Sequence, residues 1–401
     1  MGAVRRPTPS PLCSRYSCCG SPIVDRLGPS EQHSQGRDEM KRIVICADGT
    51  WNHRDQLDAT TRKRRPTNVT KIARAVRPRA KDGTGQVVYY HEGIGTGGLM
   101  DKITGGAFGR GMESNIRDLY RFLVYNYESN DELYLFGFSR GAFTVRSLTG
   151  FMFMVGLIEK DDDYYVPEIY ACYERHQGPG TAQWTAAFHN IRNRRPCPTV
   201  RFVGVWDTVG ALGAPGLLGQ LFNRKKYVYH DVGLNSSIQN AYQALAIDER
   251  RRPFAPSLWT RPVNWGGDLQ QAWFPGVHSN VGGGYAPDGL ANEALQWLVE
   301  QAEKLGLETD SAYLAHFLPC FNSVLNHSMT TMYRVMGPRP RAIGEHPADG
   351  EAIHQSAFDR MNWRPCGYAP ANLGAYLANP GAVRGVNTTR LARGAPCPDG
   401  P

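Results

Sequence analysis

Apolar residues along this chain fall in short unbroken runs separated by segments of helical spacing. "RIVICADGT" (42–50) is β-branched and closes on a turn signal, which predicts a buried strand. In "TNVTKIARAV" the residues Val69, Ile72, Ala73 and Val76 recur at three- and four-residue intervals, predicting a helix with Asn68 at its N-cap. "QVVYYHEG" (86–93) reads as a second strand. Residues 112–127 read as a helix that gathers Ile116, Leu119, Leu123 and Val124 on one face. "ELYLFGF" (132–138) is a third strand and runs directly into another helical pattern. Residues 159–196 are polar and aromatic with weak periodicity, as in an insertion. The pattern resumes with the strand "TVRFVGVWD" (199–207), a helix predicted from the spacing of Ile238, Ala241, Tyr242 and Leu245, the strand "LQQAWFPG" (269–276) and the amphipathic helix "LANEALQWLVEQAEKLGL" (290–307).

Strands alternating with helices imply an α/β protein with a mostly parallel sheet covered on both faces. Residues 1–39 are polar, broken by Pro and Gly and without period, which predicts a disordered N-terminal extension. Residues 40–375 read as one domain, and 376–401 as a flexible tail. No internal repeat is present.

Composition narrows the class. A 41% apolar and 20% charged chain is ordinary for a globular protein, while a net charge of +8 favours contact with anions such as nucleic acid, anionic lipid or phosphorylated substrates. The nine cysteines are an odd number with no CxxC pair and no clustered histidine, which argues against a metal site and a full disulfide framework. No apolar run approaches the about 20 residues of a membrane-spanning helix, and the first residues lack a secretory signal's apolar region. Together these predict a cytoplasmic location, with any export using a system that needs no signal peptide.

The chemistry concentrates in "ELYLFGFSRGAFTVRSL" (132–148). A serine between two glycines, placed at a strand-to-helix junction, is the arrangement of a nucleophile elbow. Gly137 and Gly141 would avoid clashes in so sharp a turn, Ser139 would project above the sheet edge, and the Arg140 amide would face an oxyanion. Such a design needs an acid and then a histidine on later strand ends. Asp207 ends "RFVGVWD" and His278 follows "AWFPG", both at the C-terminal ends of strands. Asp231 and Asp248 compete for the acid; Asp248 reads as a structural partner of Arg250, Arg251 and Arg252 near a helix C-terminus. In "DGTWN" (48–52) the amides of Gly49 or Thr50 are candidates for a second oxyanion donor, and Asp48 is equally suited to cap its own turn. "GIGTGG" fits a dinucleotide-binding pattern, but it opens no helix at once and is read as a chance match.

Taken together, "VICADGTWN", "LFGFSRGAFTVRSLTGFM", "FVGVWDTVGALG", "ALAIDERRRPFAPSLW", "WFPGVHSNVGGGY", "IHQSAFDR" and "YAPANL" resemble one family across about residues 40–375. It is the α/β-hydrolase domain family, long of unknown function, that includes the catalytic domains of type VI secretion lipase effectors. The resemblance implies an α/β-hydrolase-like fold with inserted lid or cap loops. It also implies a serine ester hydrolase with Ser139, Asp207 and His278 as its triad, no cofactor and no metal, and phospholipase activity in the effector branch. The expected partner is then a lipid or small ester and not nucleic acid. The loop "ALGAPGLLGQLFNRKK" (211–226) sets leucines and Phe222 beside Arg224, Lys225 and Lys226, which suits either peripheral contact with a lipid surface or a lid over the pocket. A small-ester carboxylesterase and a non-catalytic anion-binding module are the alternatives.

Overall fold

The computed structural model describes residues 40–49, 52, 55, 57, 64–93, 105–210, 233–345, 347–379 and 384–388. The extension 1–39, Thr50, the glycine-rich 94–98, the loop 211–226 and Asp231 lie outside the described residues.

In chain order the N-terminal half contains β1 (Lys41–Ala47), α1 (Asn68–Ala75), β2 (Gly85–His91), α2 (Gly105–Asn126), β3 (Glu132–Phe138) and α3 (Arg140–Val155). An excursion follows: β4 (Leu157–Ile158), α4 (Val166–Glu174), α5 (Ala182–Phe188) and β5 (Arg194–Arg195), where β4 and β5 pair as a separate two-stranded sheet. The main pattern resumes with β6 (Val200–Trp206), β7 (Asn240–Ala246), β8 (Asp268–Phe274), α6 (His278–Gly282) and α7 (Gly289–Lys304). The C-terminal part holds the short helices α8 (Ser311–Leu314) and α9 (Thr331–Val335), then β9 (Glu351–His354), α10 (Gln355–Asn362), α11 (Ala371–Leu377) and β10 (Arg384–Val386).

Eight strands form one sheet in the order β10-β9-β8-β7-β6-β3-β1-β2, with parallel pairings throughout. This is an α/β-hydrolase-like fold. Successive side chains of a strand point to opposite faces, and here both faces are covered. Ile43 and Ile45 join α2 and α3 in one core cluster, whereas Val44 and Cys46 join α1 and α7 in the other. Because β2 and β3 flank β1 on opposite sides, the chain reverses direction there, and parallel sheets place their ligand sites at the C-terminal strand ends of such a reversal.

Three sequence expectations are corrected. The helix predicted over Ile238–Leu245 is strand β7: its residues 241–246 are all buried between β6 and β8, so no alternation marks it, and its alanines mimic helical spacing. The cap of α1 is Thr67, whose hydroxyl accepts the Thr70 amide at 3.1 Å. Asn68 instead donates to the Val281 and Ala291 carbonyls at 2.9 and 2.8 Å and ties α1 to α6 and α7. Finally, Arg384–Val386 pairs with β9 as an edge strand, so ordered sheet structure continues past residue 375.

Candidate active site

Ser139 stands between β3 and α3 with φ 58° and ψ −120°, a conformation that L-residues rarely adopt. Its amide donates to the Trp206 carbonyl at 3.0 Å, and its carbonyl accepts the first helical bond of α3, from Phe143 at 3.2 Å. The serine thus completes the strand ladder and caps the helix at once, which bends the chain sharply. Both flanking glycines are required sterically. A Cβ on Gly137 would lie 2.6 Å from the Ala142 Cα, and one on Gly141 would lie 2.2 Å from the Ala47 carbonyl oxygen. The second contact shows why: α3 starts directly against the end of β1.

The loop after β1 is held by Asp48, which is buried. Its Oδ1 accepts the Gly49 amide at 2.7 Å, while Oδ2 accepts the hydroxyls of Thr67 at 2.6 Å, Tyr90 at 2.8 Å and Thr70 at 3.2 Å. Burial raises the Asp48 carboxyl, and these donors act against that rise. The capped-turn expectation holds, and it has a consequence for Gly49: its amide is engaged by Asp48, which removes it as an oxyanion donor. Thr50, the other candidate in this loop, is outside the described residues.

Asp207 ends β6, is fully buried, and has φ 44°. His278 opens α6, just past β8. The imidazole Nδ1 lies 2.6 Å from Asp207 Oδ2, so Nδ1–H donates to the carboxylate and Nε2 is left as the basic nitrogen. The ring sits between Phe138 (centroids 4.6 Å apart) and Phe254 (4.9 Å, edge-on). Burial lowers the His278 pKa below the ordinary imidazole value, against the Asp207 charge, which favours the protonated form. Ser139 and His278 are 6% and 5% exposed, so both groups are screened from bulk water.

Asp248, the competing acid, lies after strand β7 and not at a helix end. Its Oδ2 accepts the Gly276 amide at 2.7 Å and the Tyr368 hydroxyl at 2.9 Å. The ion pair expected of it belongs to its neighbour: Glu249 accepts Arg251 Nε and Nη2 at 2.9 and 2.8 Å, the Ser328 hydroxyl at 3.0 Å and the His278 amide at 3.2 Å. Glu249 therefore anchors the backbone of His278.

Arg341 is the largest omission from the sequence reading. It comes from the segment between α9 and β9 and meets Asp207 with both terminal nitrogens, Nη1 to Oδ1 at 2.5 Å and Nη2 to Oδ2 at 2.9 Å. Burial by itself would raise the Asp207 carboxyl, but the Arg341 charge and the His278 contact outweigh it and hold the group well below the usual carboxylate range. Arg341 lies 134 residues beyond Asp207 in a proline- and arginine-rich stretch, and no sequence pattern joins the two. Among the described residues no cluster of potential metal ligands occurs, and no helix is long and apolar enough to cross a membrane.

Comparison with known proteins gives one family. Residues 41–301, well over half of the chain, match the family described as the catalytic domain of Tle1-like phospholipase effectors of the type VI secretion system (T6SS). The uncharacterised protein YEL023C of Saccharomyces cerevisiae is 27% identical over 255 residues, covering 58% of this chain and 34% of that protein. Among solved structures, an uncharacterised protein from Pseudomonas aeruginosa is similar at 16% identity and a TM-score of 0.42, over 70% of this chain and 49% of that one. The Tle1 effector bound to the VgrG spike is similar at 20% identity and a TM-score of 0.34, over 65% and 56% of the two chains. The chain spans 34% of the yeast relative's length and 49% and 56% of those two solved chains.

Proposed function

The chain belongs to the family of Tle1-like phospholipase effector catalytic domains, and from that premise we propose that it hydrolyses acyl esters of phospholipids through Ser139, His278 and Asp207. The observation that carries the proposal is the 2.6 Å contact of His278 Nδ1 with Asp207, made at the same sheet edge as the strained Ser139. With Nδ1–H committed to the carboxylate, Nε2 takes the Ser139 proton as the hydroxyl oxygen attacks the ester carbonyl. The negative charge that develops on the carbonyl oxygen is met by the Arg140 amide at the N-terminus of α3. His278 then protonates the departing alcohol, leaving an acyl group on Ser139. Water, deprotonated by the same imidazole, releases the fatty acid and restores the serine.

Phospholipid vesicles test the substrate class. The wild-type chain is expected to release fatty acid from them, and Ser139→Ala to lose that release by a factor on the order of 10⁴ or more while keeping its fold. Cleavage of soluble short-chain esters with none of phospholipid would instead make the protein a small-ester carboxylesterase.

A further inference from the structure

We propose that Arg341 is a positioning residue of this site, fixing the Asp207 carboxylate toward His278 and sharing its negative charge; the proposal rests on the triad reading above. In a serine triad the acid commonly orients the imidazole and stabilises its protonated form. Here the same acid also receives a permanent cation. Oδ2 accepts both His278 Nδ1–H at 2.6 Å and Arg341 Nη2–H at 2.9 Å, while Oδ1 accepts Arg341 Nη1–H at 2.5 Å and the Ala246 amide at 3.0 Å. Four donors on two oxygens fill the acceptor capacity of a carboxylate and leave it a single orientation.

The guanidinium is itself anchored. Nη1 donates to the Ala246 carbonyl at 2.9 Å and Nη2 to the Phe254 carbonyl at 2.7 Å, and the Arg341 carbonyl accepts the Asn372 amide at 3.1 Å. Phe254 in turn sets its ring edge-on to His278. One side chain therefore holds the acid and also the segment that walls the base.

Charge gives Arg341 a second effect. The charged groups acting on His278 are Asp207 from the end of β6 and Glu249 and Arg251 from the segment after β7, while Arg341, from the segment before β9, acts on Asp207. Glu249 pairs with Arg251 at 2.8 Å, and Asp207 pairs with Arg341 at 2.5 Å. A fixed cation there weakens the pull of Asp207 on a proton at His278, which keeps the imidazole neutral and able to act as a base. Residue 341 lies beyond the matched segment 41–301, so the functional site draws on chain outside that segment.

The test uses the full chain with Arg341→Gln and Arg341→Lys, and reads the His278 titration by NMR alongside ester turnover. Arg341→Gln removes the charge that offsets Asp207 and should raise the His278 pKa. Arg341→Lys keeps the charge but not the fork, so it should leave that titration near wild type and lower kcat about tenfold at unchanged KM. An unmoved His278 titration in the glutamine variant, or wild-type kcat in the lysine variant, would overturn the proposal; a merely structural ion pair would alter only the melting temperature. If the glutamine variant does not fold, the lysine variant's split between kcat and KM decides. Asp207→Asn, measured in parallel, separates the two readings. Full activity there removes the triad itself, whereas loss of activity beside wild-type-like Arg341 variants removes only the role of Arg341.

Discussion

Asp207, buried, and Asp248, half-buried, stand on neighbouring strand ends, and their surroundings divide the work between them. Asp207 faces an imidazole and a guanidinium, whereas Asp248 faces a backbone amide and a phenol. Asp207→Asn should therefore cost roughly 10⁴-fold in rate, by allowing the wrong imidazole tautomer. It should also lower stability by about 3–5 kcal/mol, since Arg341 would be left as an unpaired buried charge. Asp248→Asn should leave turnover near wild type and cost about 1–3 kcal/mol through weakened hydrogen bonds. Turnover and denaturant midpoints of the two variants check this, and an inactive but stable Asp248→Asn would reverse the assignment. The pH dependence follows from His278. A base must be unprotonated to work, and burial lowers its pKa, so the protein should keep its imidazole neutral to more acid conditions than free histidine does. The acid limb of kcat/KM should then reach half-maximum below about pH 6.5, the ordinary imidazole value; a midpoint above that would contradict the local electrostatics.

Among the secondary-structure elements, the junction of β3 with α3 decides the geometry, and Gly141 is its tightest point. A methyl group there would meet the Ala47 carbonyl oxygen at 2.2 Å, a backbone atom that cannot swing aside. Gly141→Ala should force α3 away from β1, lower stability by about 3 kcal/mol and remove activity, which melting curves and ester assays would show. This junction was legible in the sequence because a turn's chemistry is local: strand, glycine, serine, glycine and helix are contiguous. The strands of β1, β3, β6 and β8 were legible as apolar runs for the same reason. β7 was not, since a strand buried on both faces loses its alternation and "NAYQALA" carries helix-favouring alanines. The cap of α1 was misplaced by one residue because Thr67 is drawn to Asp48, a partner 19 positions away. Ser139, Asp207 and His278 could be read from strand ends, whereas Arg341 could not, because its contact depends wholly on how the C-terminal segment returns over the sheet.

That return shapes the whole molecule. The strand order puts its reversal point between β1 and β3, which stay paired to Ala47 and Gly137, and Asp207 and His278 follow strands farther along the same edge. Beyond residue 301, β9 covers the edge of β8, and α10 and α11 build a third core cluster around Leu245, Trp273 and Ile353. Trp273 is fully buried and donates its indole N–H to Glu351 at 2.9 Å. A chain cut after residue 301 would expose that cluster, at about 1.5–3 kcal/mol per large apolar side chain, and would lack Arg341. It should fail to melt cooperatively and show no ester turnover; a stable, active 41–301 fragment would contradict the account of the C-terminal segment. The central claim is that Ser139 carries the acyl group of a phospholipid. Its most direct test is the release of fatty acid from phospholipid vesicles by the wild-type chain and by Ser139→Ala, with circular dichroism showing that both are folded. Release by the wild type and a loss on the order of 10⁴-fold or more in the variant are expected, whereas equal release by the two folded proteins would contradict the proposed role of Ser139.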